Sequence, residues 1–502
     1  MDAEQFKQHA HAAVDRIIAY NRNLSATPPS SQEIDASQLV TSRMSPGYLA
    51  SRLPSTIPAE GESFESIQAD LEAHIMPGIT HWQSPNFMAY FPANSSYPGI
   101  LGDMYSDMLT CAAFNWQASP AVTELETIVM DMLGSAIGLH EGFRSGGEGG
   151  GCLFGSASEA VLTMMMAARD RYLDDAEAGY QSLPHGSGGA ETGTTVGVDQ
   201  LVAIVTDQTH SGVEKAAKLL RIKCHKVTTT SADDFAMTAA ALEDALTDLR
   251  GRGLHPFFAC MTLGTTPTCA VDDMPGLKSI FSRPENRVIW THLDAAYAGS
   301  AMILPSMQHY LAGSEDYDSF EFNAHKWLLT NFDCSCLWLQ RRRYLIAAMD
   351  ITPSYLRNEM SDAGLVTDYR NWGIPLGRRF RALKLWFVMR TYGLAGLREH
   401  IQRHLAYSDK FVDLVQGNRD MEIIAPPRFA LCVLKFRDGD AVTRSVYERI
   451  NREGKLFLTA SVVAGDFVIR VVACAPAVTE AHLVGAYETL VRTYENVKAG
   501  RE

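Results

Sequence analysis

Apolar positions in the first twenty residues recur at helical spacing, with Phe6, Ala10, Ala13, Val14, Ile17 and Ile18 on one face. A lone helix at a chain end is unstable in water, so this one is expected to dock on another surface. Residues 24–62 break the pattern with Pro28, Pro29, Pro46, Pro54 and Pro58 among many Ser and Thr. They predict a connecting arm with short helical pieces. From about residue 120, helical patterns alternate with short apolar runs. The stretch LETIVMDMLGSAI predicts a helix before the cluster SGGEGGG, and CLFG then leads into a helix over SEAVLTMMMAARDRYL. Apolar runs follow at LVAIVT (201–206), FFACMTL (257–263), VIWTHL (288–293) and CLWLQ (336–340). That alternation predicts an α/β domain with a mostly parallel sheet. The Gly/Ser/Thr-rich stretch from Tyr180 to Val196 reads as a linker inside it.

A last unit begins near residue 391 with a long helical stretch. RFALCVLKFR (428–437), a helix, LFLTA, DFVIRVVACA and a closing helix from Thr479 predict a small α+β domain. The expected division is an N-terminal arm over 1–90, a large domain over 91–390 and the small domain over 391–502.

Composition narrows the function classes. Hydrophobic residues make up 46% and charged residues 20%, which is globular and excludes a disordered chain, a coiled coil or a collagen. The net charge of −14 argues against nucleic acid and anionic membranes as partners. No apolar stretch is long enough to span a membrane, and the polar N-terminus does not resemble a signal peptide. The nine scattered cysteines have no zinc spacing, so no metal site is expected, and reduced thiols in a cytoplasmic protein are.

The chain contains no phosphate-binding P-loop, no H-E-x-x-H and no G-x-S-x-G, and the glycine cluster does not complete a dinucleotide fingerprint. Other positions carry chemistry. Ser156 and Glu159 have the spacing of a capping box, and Ala157 and Ser158 lie at the start of that helix, where a phosphate could sit. Asp294 closes an apolar run, at a strand end where α/β sheets bind ligands, and Ala295 and Ala296 after it leave room for a flat ring. Lys326, between His325 and Trp327, lies against an apolar run, where desolvation makes a lysine a good imine-former. His210 follows another strand and could stack or transfer a proton. The polar segment 351–373, containing Tyr369, reads as a lid or a plain connector. Each feature alone has a purely structural explanation. Together they match what pyridoxal phosphate requires: a lysine, a carboxylate for the ring nitrogen and a phosphate cup.

Longer segments then carry a resemblance. HWQSPNFMAYFPANSSYP (81–98), NWQASPAVTELE (115–126), GSASEA (155–160), DQTHSGVEKA (207–216), TLGTT (262–266), HLDAAYAGS (292–300), FNAHKWLLTNFDCS (322–335) and DYRNWGIPLGRRFRALKLW (368–386) are similar to the pyridoxal-phosphate group II decarboxylases. The chain most resembles the aromatic-L-amino-acid decarboxylases. The resemblance implies the aspartate aminotransferase-like type I fold with a seven-stranded sheet, and an intertwined homodimer whose N-terminal arms cross onto the partner. It implies Lys326 as the covalent anchor of pyridoxal 5'-phosphate, Asp294 at the ring nitrogen, and His210 and Ala296 on the two ring faces. Ala157, Ser158, Thr265, Asn323 and His325 would complete the cofactor site. Trp82, Tyr90, Phe91, Pro92, Phe114 and Gly377 would shape the substrate pocket, and Tyr369 would donate a proton. Ala93 departs from the Thr of animal dopa decarboxylases, and Gly377 stands where relatives favouring histidine or tyrosine often carry Ser. The implied reaction is decarboxylation of tryptophan, 5-hydroxytryptophan or dopa to the amine. The alternatives are an aldehyde synthase, in whose sequences Phe replaces the lid tyrosine, a non-catalytic homologue and, more distantly, a nicotinamide enzyme.

Overall fold

The computed structural model describes residues 1–177, 196–353, 356 and 359–501. Most of the Tyr180–Val196 linker lies outside the described residues. By contacts the chain divides into two compact units. One comprises Asn94–Arg403 with Ala425–Phe429, the other Met1–Ala93, His404–Ile424 and Ala430–Glu502.

The first of these is built on seven strands: β1 (Gly150–Phe154), β2 (Leu201–Thr206), β3 (Lys223–Val227), β4 (His255–Thr262), β5 (Trp290–Asp294), β6 (Ser319–Asn323) and β7 (Ser335–Leu339). Their order is β1-β7-β6-β5-β4-β2-β3, and all run parallel except β7, which is antiparallel to both neighbours. The apolar runs read from the sequence form β1, β2, β4, β5 and β7. They are continuous rather than alternating because both faces of this sheet are buried. The type I fold expected from the resemblance is the fold found. Helices Pro120–Ala136 and Ala157–Glu177 cover the predicted positions. The capping box forms with one change: Ser156 Oγ accepts from Glu159 N–H, but the Glu159 carboxylate reaches back to Gly155 N–H.

In the other unit, β8 (Met421–Ile423), β9 (Leu431–Phe436), β10 (Thr459–Val463) and β11 (Asp466–Val472) form an antiparallel sheet in the order β10-β11-β9-β8. Helices Asp440–Glu453 and Glu480–Lys498 pack with it. The N-terminal segment belongs to the same unit. Phe87 bridges Phe457, Val472 N–H donates to Met88 C=O, and the His482 ring meets Thr27 C=O at 2.9 Å. The arm is thus fastened to the C-terminal segment of its own chain. The helix Ala3–Ser25 is capped by Asp2 and Gln5, yet Leu24 is its only buried residue, and Phe6 is 64% exposed. Its apolar face has little to cover it within its own chain.

Candidate active site

The candidate residues gather where β2, β4, β5 and β6 end. Thr262, Asp294 and Glu321 are register partners on β4, β5 and β6, so they stand side by side. Asp294 is buried, and its Oδ1 accepts from Ala296 N–H at 2.8 Å, a short turn that fixes the carboxylate at the strand end. Asn323 ends β6, and its N–H donates to Ala296 C=O at 3.0 Å. The chain then turns through one helical turn, Ala324–Trp327, which presents Lys326 half-buried. That turn is held rigidly. Asn94 N–H donates to His325 C=O at 2.8 Å, and Trp327 stacks on Tyr297 with centroids 4.9 Å apart.

His210 caps the helix Ser211–Leu219, its Nδ1 accepting from Gly212 N–H at 3.0 Å. A backbone N–H can only donate, so in the neutral ring the proton sits on Nε2. The residue as a whole is exposed, which leaves it accessible to a ligand. Enough protein surrounds it that desolvation lowers its pKa, while Asp294 pulls it up and Lys326 pushes it down. These influences place all three groups in one field. Ser158 lies beside His210: a Cβ added to Gly212 would sit 2.8 Å from Ser158 Oγ and 2.9 Å from His210 Nδ1, so any side chain there would push these two groups aside. Ala157 and Ser158 open the helix Ala157–Glu177, whose first N–H groups have no intrahelical acceptor.

His325 has the same tautomer as His210, because its Nδ1 accepts from Cys334 N–H at 2.8 Å. Burial drives His325 down to about 4, with Lys326 adding to the shift, and burial drives His292 on β5 to about 4 against the pull of Asp294. Both imidazoles are therefore neutral at neutral pH. The unfolded chain protonates them near the ordinary 6.5, so stability is fully present above that value and is lost as pH falls to about 4. Each costs about 3 kcal/mol across that window. The urea midpoint of the parent should accordingly fall more steeply from pH 7 to 4 than that of His292→Gln. Parallel falls would remove His292 from the account.

The residues present fit pyridoxal phosphate. A buried carboxylate ends a central strand, a lysine amine stands on a fixed turn, and a helix N-terminus and neutral N–H donors surround them. The Asn323 amide oxygen and the Thr262 hydroxyl are buried with no hydrogen-bond partner among the described residues, polar groups of the kind a bound ligand satisfies. Asp294 would face the ring nitrogen, Lys326 would anchor the group, and Ser158, Asn323 and His325 would hold its phosphate.

The other expected site residues have partners of their own. The Thr265 hydroxyl is used within its own turn, accepting from Ala270 N–H at 3.0 Å and lying 3.0 Å from Thr268 Oγ1. Phe114 is half-buried, and its C=O accepts from Arg370 N–H. Gly377 is exposed and, with Phe154, Glu159 and Arg378, lines a cavity of about 300 Å³. Tyr369 is buried, its hydroxyl donating to Gly151 C=O and lying 3.0 Å from Thr127 Oγ1, with the Arg378 guanidinium 4.8 Å from its ring. Trp82, Tyr90, Phe91 and Pro92 belong to the other unit. There Trp82 stacks on Phe87 and Tyr90, and the Arg470 guanidinium lies 4.9 Å from the Phe91 ring. Glu321 is the site residue that the sequence reasoning missed. A signal exists for it: SFEFN alternates, which puts a carboxyl on the same face as Ser319 and Asn323.

The pyridoxal-dependent decarboxylase conserved domain matches residues 46–437. Aromatic-L-amino-acid decarboxylase of Rattus norvegicus is 41% identical, covering 97% of this chain and 97% of its own. Phenylacetaldehyde synthase of Arabidopsis thaliana is 40% identical, covering 98% of this chain and 96% of its own. Among solved structures, Oryza sativa TDC with PLP and tryptamine superposes with a TM-score of 0.90 at 35% identity, covering 99% of each chain.

Proposed function

We propose, since the chain belongs to the pyridoxal-dependent decarboxylase family, that it removes carbon dioxide from an aromatic L-amino acid and releases the arylalkylamine. The observation that carries this reading is that Lys326, Asp294 and His210 all stand at the same ends of the parallel strands β6, β5 and β2 of one sheet. Bound pyridoxal phosphate supplies the electron sink into which the electrons of the departing carboxylate flow. Lys326 supplies the amine that anchors it. Asp294, charged and fixed by Ala296 N–H, keeps a proton on the ring nitrogen, because an adjacent negative charge raises that pKa. His210 offers the flat face that orients the ring, and His325 a neutral N–H donor to the phosphate. Phe114 is proposed to contribute an aromatic wall for the substrate, with Gly377 leaving room for a large ring.

Tyr369 is the proposed donor of the proton that replaces the carboxylate. Burial pushes its pKa well up, with Glu126 adding to the effect, so the hydroxyl keeps its proton. To donate at Cα it must leave Gly151 and Thr127. Retention of this tyrosine favours the amine over the aldehyde, the product named for the Arabidopsis relative. The expected products are amine and carbon dioxide in equal amounts with little peroxide. Tyr369→Phe should keep carbon dioxide release and, with dissolved molecular oxygen as the two-electron oxidant and water as the source of the carbonyl oxygen, divert most product to aldehyde, ammonia and hydrogen peroxide. Assaying amine and peroxide per carbon dioxide across tryptophan, 5-hydroxytryptophan, dopa and tyrosine tests this and identifies the substrate. Mostly peroxide from the parent would make the aldehyde synthase the better reading.

A homodimer is proposed with it. The helix Tyr97–Leu109 exposes Leu101, Met104, Tyr105, Met108 and Leu109, a contiguous apolar face that needs cover, as does the helix Ala3–Ser25. Light scattering should return twice the chain mass; a monomer with full activity would overturn this. The nine scattered cysteines, without zinc spacing, accord with a reducing, cytoplasmic setting. Among the described residues no helix is long and apolar enough to cross a membrane.

A further inference from the structure

The carboxyl beside Asp294 takes no part in the chemistry proposed above. Facing residues of β5 and β6 form a polar ladder inside the sheet. His292 Nδ1 lies 2.8 Å from Ser319 Oγ, and one step on, Asp294 stands against Glu321. Both carboxyls are buried, Glu321 at 1% exposure, and they are in hydrogen-bond contact with each other. Glu321 Oε2 also accepts from Ser335 Oγ at 3.3 Å, across on β7. Two adjacent carboxylates in a dry wall cannot both be charged, so one proton is shared between them. Burial, followed by the Asp294 charge, pushes Glu321 well above the carboxylate range, against the pull of Lys326. The proton therefore belongs to Glu321.

We propose that Glu321 is a positioning residue for Asp294: as the neutral acid it donates its O–H to the Asp294 carboxylate and holds that group charged and aimed for the cofactor's ring nitrogen. Asp294 then accepts from two fixed donors, Ala296 N–H and the Glu321 hydroxyl, and keeps acceptor capacity for the ring nitrogen. A hydrogen bond to a charged acceptor is among the stronger ones available to a protein, and one made inside the sheet costs no reordering when the cofactor arrives. This inference rests on the reading of Asp294 as the partner of the ring nitrogen.

The test measures equilibrium binding of pyridoxal phosphate, and of its analogue with carbon in place of the ring nitrogen, to the apo forms of the parent, Glu321→Gln and Glu321→Leu. The parent should prefer the nitrogen-containing cofactor. Glu321→Gln still offers an N–H to Asp294 and should keep that preference within about threefold, whereas Glu321→Leu should lose about tenfold of it. Equal weakening of both ligands in Glu321→Leu would show a merely structural role and overturn the proposal. So would an unchanged preference, or a Gln variant as poor as Leu. A parent without any preference would instead overturn the pairing of Asp294 with the ring nitrogen. Those failures are separate.

Discussion

Lys326→Ala should yield a folded protein with no turnover and no covalently held cofactor. The side chain is half-buried on a turn whose shape is set by its neighbours, not by its own packing. His325 N–H donates to Cys334 C=O, Leu328 N–H to Ala324 C=O, and Trp327 is fully buried against Tyr297. Removing the amine therefore takes away the anchor and leaves the cradle. The loss should be complete because, among the described residues, no neighbouring lysine is placed to take over the covalent attachment. Lys384, fully buried, is tied to Asp103 at 3.1 Å. Absorbance of the purified holoprotein, followed by borohydride reduction and mass measurement of the peptide containing residue 326, reads the result directly. A reducible linkage retained at another lysine would show the assignment to be wrong.

Asp294→Asn should come next in effect, with the rate falling by about two orders of magnitude or more. Asparagine fills the same volume, and its amide oxygen can still accept from Ala296 N–H, so the turn survives. The negative charge does not. Without it nothing holds a proton on the ring nitrogen, and the pyridine becomes a poor electron sink. The loss should lie in kcat more than in KM, because the charge acts on the reacting system and not on recognition of the amino acid. A rate within about threefold of the parent would contradict the role. Glu321 sharpens the comparison, since an uncharged residue 294 leaves its proton with a weaker acceptor.

Much of this site is legible in the amino-acid sequence. Asp294 and His210 read as strand-end residues because β2 and β5 are buried on both faces and form unbroken apolar runs. Strands that break that rule are hidden. β6 carries Glu321 at its centre and Asn323 at its end, which reads as polar until the adjacent carboxyl on β5 supplies the reason. β3 is an edge strand with exposed Lys223 and Lys226, and it carries little apolar signal. The seat of Tyr369 is also out of reach. A polar segment gives no hint that one of its rings is buried, because the acceptor on Gly151 and the neighbour on Thr127 come from more than two hundred residues away.

Arg378 follows Gly377 and is immobilised from several sides. Its guanidinium meets both oxygens of Glu126, at 2.8 and 2.6 Å, and donates to Leu153 C=O, while its own N–H donates to Ala112 C=O. A backbone held this firmly cannot retreat when the neighbouring residue changes. Among the described residues, the only heavy atom within 4 Å of a Cβ built on Gly377 is the Ala112 methyl carbon at 3.8 Å, so a small side chain enters open space without collision. A side chain added at 377, on the rim that Gly377 shares with Phe154, Glu159 and Arg378, therefore need displace nothing. Selectivity could drift at this position in small increments, one substitution at a time, while the scaffold stays untouched and its stability is not taxed.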